Sequence, residues 1–143
     1  MKTLADIVPD AERFDRQIGT AMAYAVSHTV TVITAKMRNE HRWKDVSGAT
    51  RKTIQGTYLA TKLGATGHIR AGANAILLND GTRPHRIEAR NGKALRFTSG
   101  GQTIFRRGVN HPGTAPDPFL TAAEDAAADE LFDTFDEMFS GLE

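Results

Sequence analysis

Apolar residues return at three- and four-residue steps through the first part of the chain. Phe14, Ile18, Met22, Ala25, Val32, Ile33 and Met37 fall on one side of a helix predicted from Pro9 to about His41. Pro9 suits a first-turn position, and Asp10, Glu12 and Asp15 suit the positive end of the helix dipole. Such a helix is roughly 50 Å long, more than a small domain needs. One segment fits a second pattern: "HTVTVIT", from His28 to Thr34, alternates β-branched residues with period two, so a local strand or an irregular stretch is the alternative there.

Beyond Trp43 the pattern shortens. "VSGATRKTI" carries a turn signal at Ser47 and Gly48, then "QGTYLATKL" and "TGHIRAGA" alternate as strands joined through Gly64 to Gly67. "NAILLNDGT" reads as a helical turn ending at Gly81. In "HRIEARNGKALRF" the pair Asn91-Gly92 lies between strand-like flanks, the signature of a two-residue type I′ hairpin. "TIFRRGV" reads as a further strand. Asp117 is then placed to cap a last helix, 117–140, with Pro118 at its first position. Leu131, Phe135, Met138 and Leu142 form its apolar stripe, with Phe132 and Phe139 flanking. The expected fold is α+β: one domain, 1–143, with a long N-terminal helix and a C-terminal helix packed on a small, mostly antiparallel sheet over 55–109 that carries the hairpin.

Charge changes this picture more than composition does. The net charge of +1 hides segregation: Asp117–Glu143 holds nine acids and no Lys or Arg, Lys36–Arg70 holds eight bases against two acids, and Arg83–Arg107 holds seven bases against Glu88 alone. Segregation of this kind suits head-to-tail contact between copies, or one face turned to an anion. The plainer reading is a set of solvated faces. The chain has no cysteine, which excludes disulfides, thiolate nucleophiles and cysteine-ligated zinc. Neither a membrane-spanning apolar run nor a signal peptide is expected.

Candidate chemistry is sparse. His28, His41, His68, His85 and His111 lie on separate predicted elements without a metal-ligand spacing. His85 and His111 could meet at one end of a sheet, where a metal-assisted hydrolase is the remotest reading; polar loop residues bonded to backbone are the plain one. No G-x-S-x-G elbow or phosphate-binding glycine loop occurs, and no catalytic, metal or cofactor site is expected. The two basic blocks, with Tyr58, Phe97 and Phe105, make a basic nucleic-acid-binding module the rival reading, though stacking platforms need several aromatics on one strand face.

The segments "GTRPHRIEARNGKALRF" and "RRGVNHPGTAPDPFLTAA" carry a stronger signal. Gly81, Thr82, Pro84, His85, Ile87, Asn91, Gly92, Lys93, Leu95 and Phe97, followed by His111, Pro112, Gly113, Thr114, Pro118, Phe119 and Leu120, resemble in fixed order the small neck or tail-completion proteins of long-tailed bacteriophages. The resemblance covers about residues 40 to 125. It implies a structural, non-enzymatic virion protein, assembled from the host cytoplasm, that joins the capsid connector to the tail. The implied state is a ring, hexameric with a dodecamer as the alternative, around a channel for DNA. Its partners would be other neck and tail proteins, with non-specific contact to passing DNA and none to membrane. Candidate interface residues are Arg83, His85, His111, Pro112, Gly113 and Phe119, with Asp129, Asp133, Asp136 and Glu137 on the acidic helix. Pro112, Pro116 and Pro118 fix φ on the approach to that helix, so the loop sets its angle.

Overall fold

The computed structural model describes residues 4–45, 47–62 and 64–140. Val46 of the "VSGATRKTI" segment and Leu142 of the predicted C-terminal stripe lie outside them. Helix α1 runs over Leu4–Asn39, 36 residues without interruption. It begins before Pro9, which therefore sits inside the helix and not in its first turn. The "HTVTVIT" segment is helical as well. Thr31 is accommodated without breaking the ladder, since its Oγ1 donates back to the Ser27 carbonyl at 2.8 Å, while the buried hydroxyls of Thr29 and Thr34 have no hydrogen-bond partner among the described residues.

The β-branched run has a packing role that overrides its strand preference. Strands β1 (Gln55–Thr61) and β2 (Gly64–Arg70) form an antiparallel ladder in which Tyr58 faces Gly67 and Gly56 faces Ile69. A Cβ on Gly56 would strike Thr34 and Val30, and one on Gly67 would strike Val30. The ladder thus lies with bare backbone on the valines of α1. This corrects the expectation that Gly64 and Gly67 form a linker: both belong to β2, and at Gly67 the approach to the helix leaves no room for a side chain.

Helix α2 (Ala49–Lys52) is a single turn, and α3 (Ala73–Asp80) follows β2. Strand β3 (His85–Glu88) then leads through a 3-10 turn, Arg90–Gly92, to β4 (Leu95–Ser99), β5 (Gln102–Arg106), β6 (Gly108–His111) and helix α4 (Phe119–Ser140). Here the hairpin expectation needs correction. Asn91 (φ 57°) and Gly92 (φ 67°) do adopt left-handed conformations, and Lys93 N–H donates to the Arg90 carbonyl at 3.3 Å, so the local turn forms. The strands on either side do not pair with each other. Instead β3 pairs with β6, Ile87 opposite Val109, and β4 pairs with β5 around Gly100-Gly101. The single expected sheet is three separate two-stranded antiparallel ladders.

The α+β class stands, with the long helix on one ladder and α4 packed chiefly on α1 and α3. Ala21, Ala25 and Thr29 are buried at four-residue intervals on α1, and Ala123 and Thr134 on α4. Small residues let the two helices lie close. Ile33, Met37, Ile54, Ala75, Phe119 and Ala123 form the connected core at the other end, with Trp43 and Leu120 against it. By length and composition alone Val8–Asn39 is apolar enough to cross a membrane, at a mean hydropathy of 1.2, contrary to expectation. The cause is the absence of Lys, Arg, Asp and Glu between Arg16 and Lys36. In the fold its inner face is occupied by α4 and the β1–β2 ladder.

Candidate functional site

The two sequence segments that carry the resemblance meet in space. Thr82 N–H donates to the Thr114 carbonyl at 2.9 Å and Thr114 N–H donates back to the Thr82 carbonyl at 3.0 Å. This two-bond bridge continues the β3–β6 pairing, which sets His85 opposite His111. The crossing is tight. Gly81 (φ 74°) and Gly113 (φ 89°) both occupy the left-handed region, and a Cβ on Gly113 would strike the Thr82 carbonyl.

The histidine rings lie 5.1 Å apart at a tilt of 31°. Each has one nitrogen committed to backbone: Gly113 N–H donates to His111 Nδ1 at 3.1 Å, and His85 Nδ1 lies 2.8 Å from the Arg83 carbonyl, to which it can donate. These bonds are the plain role anticipated for both rings. They stand beside an open groove of about 300 Å³ that Asn74, Leu77 and Ile87 also line. Among the described residues no group of three or more His, Cys, Asp or Glu converges as a metal site would require. Arg83, His85 and Pro112 are exposed, and His111 and Gly113 half-buried.

From this crossing the chain runs directly into α4, and the segment that follows α1, with helix α3, holds the start of that helix. The expected cap, Asp117, is engaged elsewhere. Its Oδ2 accepts from the Arg42 backbone N–H at 2.6 Å and its Oδ1 from Arg42 Nε at 3.2 Å, while Arg42 Nη2 donates to the Pro116 carbonyl at 3.0 Å. Burial opposes ionisation of Asp117, but the hydrogen bonds and charge of Arg42, with a further backbone bond from Trp43, outweigh it and hold the carboxyl below its usual range. The capping role passes to Asn79 at the end of α3, whose Oδ1 accepts from Leu120 N–H at 2.9 Å. Asp117 N–H donates to the Leu78 carbonyl at 3.0 Å. The loop therefore fixes α4 against both α1 and α3.

Phe119, a candidate for the interface, is 4% exposed and belongs to the core. Asp129, Asp133, Asp136 and Glu137 are all exposed. Two anchoring residues escaped the sequence reading, Asn79 and Asp45. Asp45 accepts from Gly48 N–H at 2.8 Å and Arg51 N–H at 3.1 Å, so it serves the short helix α2 from outside. An acid two residues before a Ser-Gly-Ala turn was the available signal for Asp45; nothing local marks Asn79.

The rival aromatic platform is divided by strand geometry. Phe97 pairs with Ile104 and Phe105 with Arg96, so the two rings occupy opposite faces of the β4–β5 hairpin. Comparison with protein-family models, with curated proteins and with solved structures finds no match to this chain.

Proposed function

We propose that this chain is a structural subunit of the neck of a long-tailed bacteriophage, one copy in a ring that joins the capsid connector to the tail. The reading rests on the resemblance of the "GTRPH" and "HPGTAPDPFL" segments to that protein class. Its chief structural support is that these two segments, 32 residues apart from Thr82 to Thr114, bond to each other and orient α4. A motif whose parts brace one another serves a scaffold.

The molecule's surface supports the same direction. Eleven large apolar side chains are exposed among the described residues, set against a connected core in which only Ile33, Met37, Ile54 and Phe119 are large and buried. Its three ladders each leave open edges. Both features suit a protein completed by its neighbours. The role is assembly rather than catalysis, in a hexameric ring or, alternatively, a dodecamer, with only non-specific contact to DNA in the channel.

The test is deletion of the gene from the phage that carries it. Filled heads and finished tails should accumulate unjoined, and purified protein added to the lysate should restore joining. Normal yields of joined particles without the protein would overturn the proposal. The rival nucleic-acid module is favoured only by the basic β4–β5 hairpin and predicts a gel shift that survives moderate salt. Under the neck reading DNA is held weakly or not at all.

A further inference from the structure

The outward face of α4 carries a regular stripe. Asp125, Asp129, Phe132, Asp136 and Phe139 follow at alternating four- and three-residue steps, all exposed, with Phe132 at 66%. No Lys or Arg occurs anywhere in Phe119–Ser140, and among the described residues the only ion-pair partner of an α4 carboxylate is His28, whose Nε2 lies 3.5 Å from Glu130 Oε1. Among the described residues the stripe's own carboxylates form no ion pair.

An opposite surface exists on the same molecule. The β4–β5 hairpin pairs Arg96 with Phe105 and Leu95 with Arg106, and Arg107 follows directly. Phe105 is 58% exposed, and Arg96, Arg106 and Arg107 form no ion pair among the described residues. The hairpin has no substantial contact with α1 or α4. A two-stranded ribbon of this length is marginal by itself, so it gains order from any surface that covers it.

We propose that the outward face of α4 is the docking site for the β4–β5 hairpin of a second copy of this chain. The two surfaces agree in chemistry: the hairpin face that carries Arg96 and Phe105 sets an exposed phenyl ring beside positive charge, α4 sets Phe132 and Phe139 among carboxylates, and the signs are opposite. The helix face is long enough for the strand: Asp125 to Phe139 spans about 21 Å of helix, and Leu95 to Ser99 about 14 Å of strand. Because the donor and acceptor surfaces are different patches, the contact is heterologous and propagates head to tail, closing into a ring when the rotation permits. It supplies the subunit contact on which the ring reading of the function rests.

The test exchanges the charges. One variant carries Asp125→Lys, Asp129→Lys and Asp136→Lys; the other carries Arg96→Glu and Arg107→Glu. Circular dichroism checks that both fold, and sedimentation at low salt measures association. Each variant alone sets like charge against like and should associate at least about tenfold more weakly than wild type. Their equimolar mixture restores opposite charge at every contact and should recover the wild-type value.

Unchanged association of either variant, or no recovery in the mixture, would overturn the proposal. Where wild-type association is too weak to measure, the cysteine-free chain permits a second reading. Arg96→Cys and Asp129→Cys proteins, mixed and oxidised, should form the mixed disulfide in excess of random pairing, and random pairing would count against the docking. Loss of DNA retention in the arginine variant with association unchanged would assign the hairpin to nucleic acid instead. All these measurements use the purified chain alone, so the docking can fail while head-tail joining still requires the protein.

Discussion

Phe119 sets its ring edge-on against Trp43, with centroids 5.7 Å apart and planes at 60°. Trp43 in turn stacks on His41 at 3.7 Å, so three rings join the exit from α1 to the start of α4. The Phe119→Ala variant removes the piece that touches both helices and leaves a cavity. It is expected to lose about 3–5 kcal/mol of stability. Chemical denaturation monitored by Trp43 fluorescence measures this, and an unchanged midpoint would mean that the ring is not buried in solution.

Gly113 and Gly92 separate two causes of strain. Both have positive φ, 89° and 67°, but a side chain at Gly113 meets the Thr82 carbonyl whereas one at Gly92 meets open space. Gly92→Ala should cost about 1–2 kcal/mol, the ordinary penalty of a left-handed residue. Gly113→Ala adds the clash, so its loss of stability should be larger and should distort the Thr82–Thr114 bridge. Equal losses in paired thermal melts would show that the crossing of the two segments is loose.

These glycines also mark where the sequence was legible. Asn91-Gly92 correctly announced its turn, because left-handed φ is a local property of the residues concerned. Which strands pair is not local: Glu88 finds Gly108 across the intervening hairpin, and no composition of the turn encodes that choice. Long amphipathic periodicity marked α1 and α4, and at "HTVTVIT" it prevailed over the period-two alternation, because Val30 lies over Gly56 and Gly67 and tertiary contact decides. The cap at α4 was misassigned because Asp117 has the right identity and position, yet Arg42 competes for it and Asn79, 41 residues before Leu120, takes its place.

The Asp117–Arg42 contact gives stability a definite acid dependence. The folded carboxyl has a pKa below its ordinary value of 3.8, so the unfolded chain binds this proton more readily. Its contribution is complete above that ordinary value and is lost as pH falls through the lower, folded one. Asp117→Asn should cost about 1–2 kcal/mol near neutral pH, since the exposed Arg42 side chain weakens the charged bond. The variant's disadvantage should shrink in acid. Urea midpoints collected between neutral pH and about pH 2 test this, and a gap between variant and wild type that stayed constant would assign the loss to shape rather than charge.

The isolated protein is expected to be a monomer in exchange with weak, salt-sensitive oligomers. Its open ladder edges are short, four to seven residues by element, and no long apolar seam runs along any of them. Exposed charge pairs contribute only about 0–1 kcal/mol each, so a contact between acidic helix and basic hairpin gains strength only as a sum and is screened by added salt. Its larger effect is on the rate and orientation of encounter. Light scattering across a concentration series should therefore give an average mass that rises with protein and falls with salt. A single tight ring at low concentration, unmoved by molar salt, would require the exposed apolar side chains rather than the charges to carry the contact, and the charge-based account of assembly would have to be abandoned.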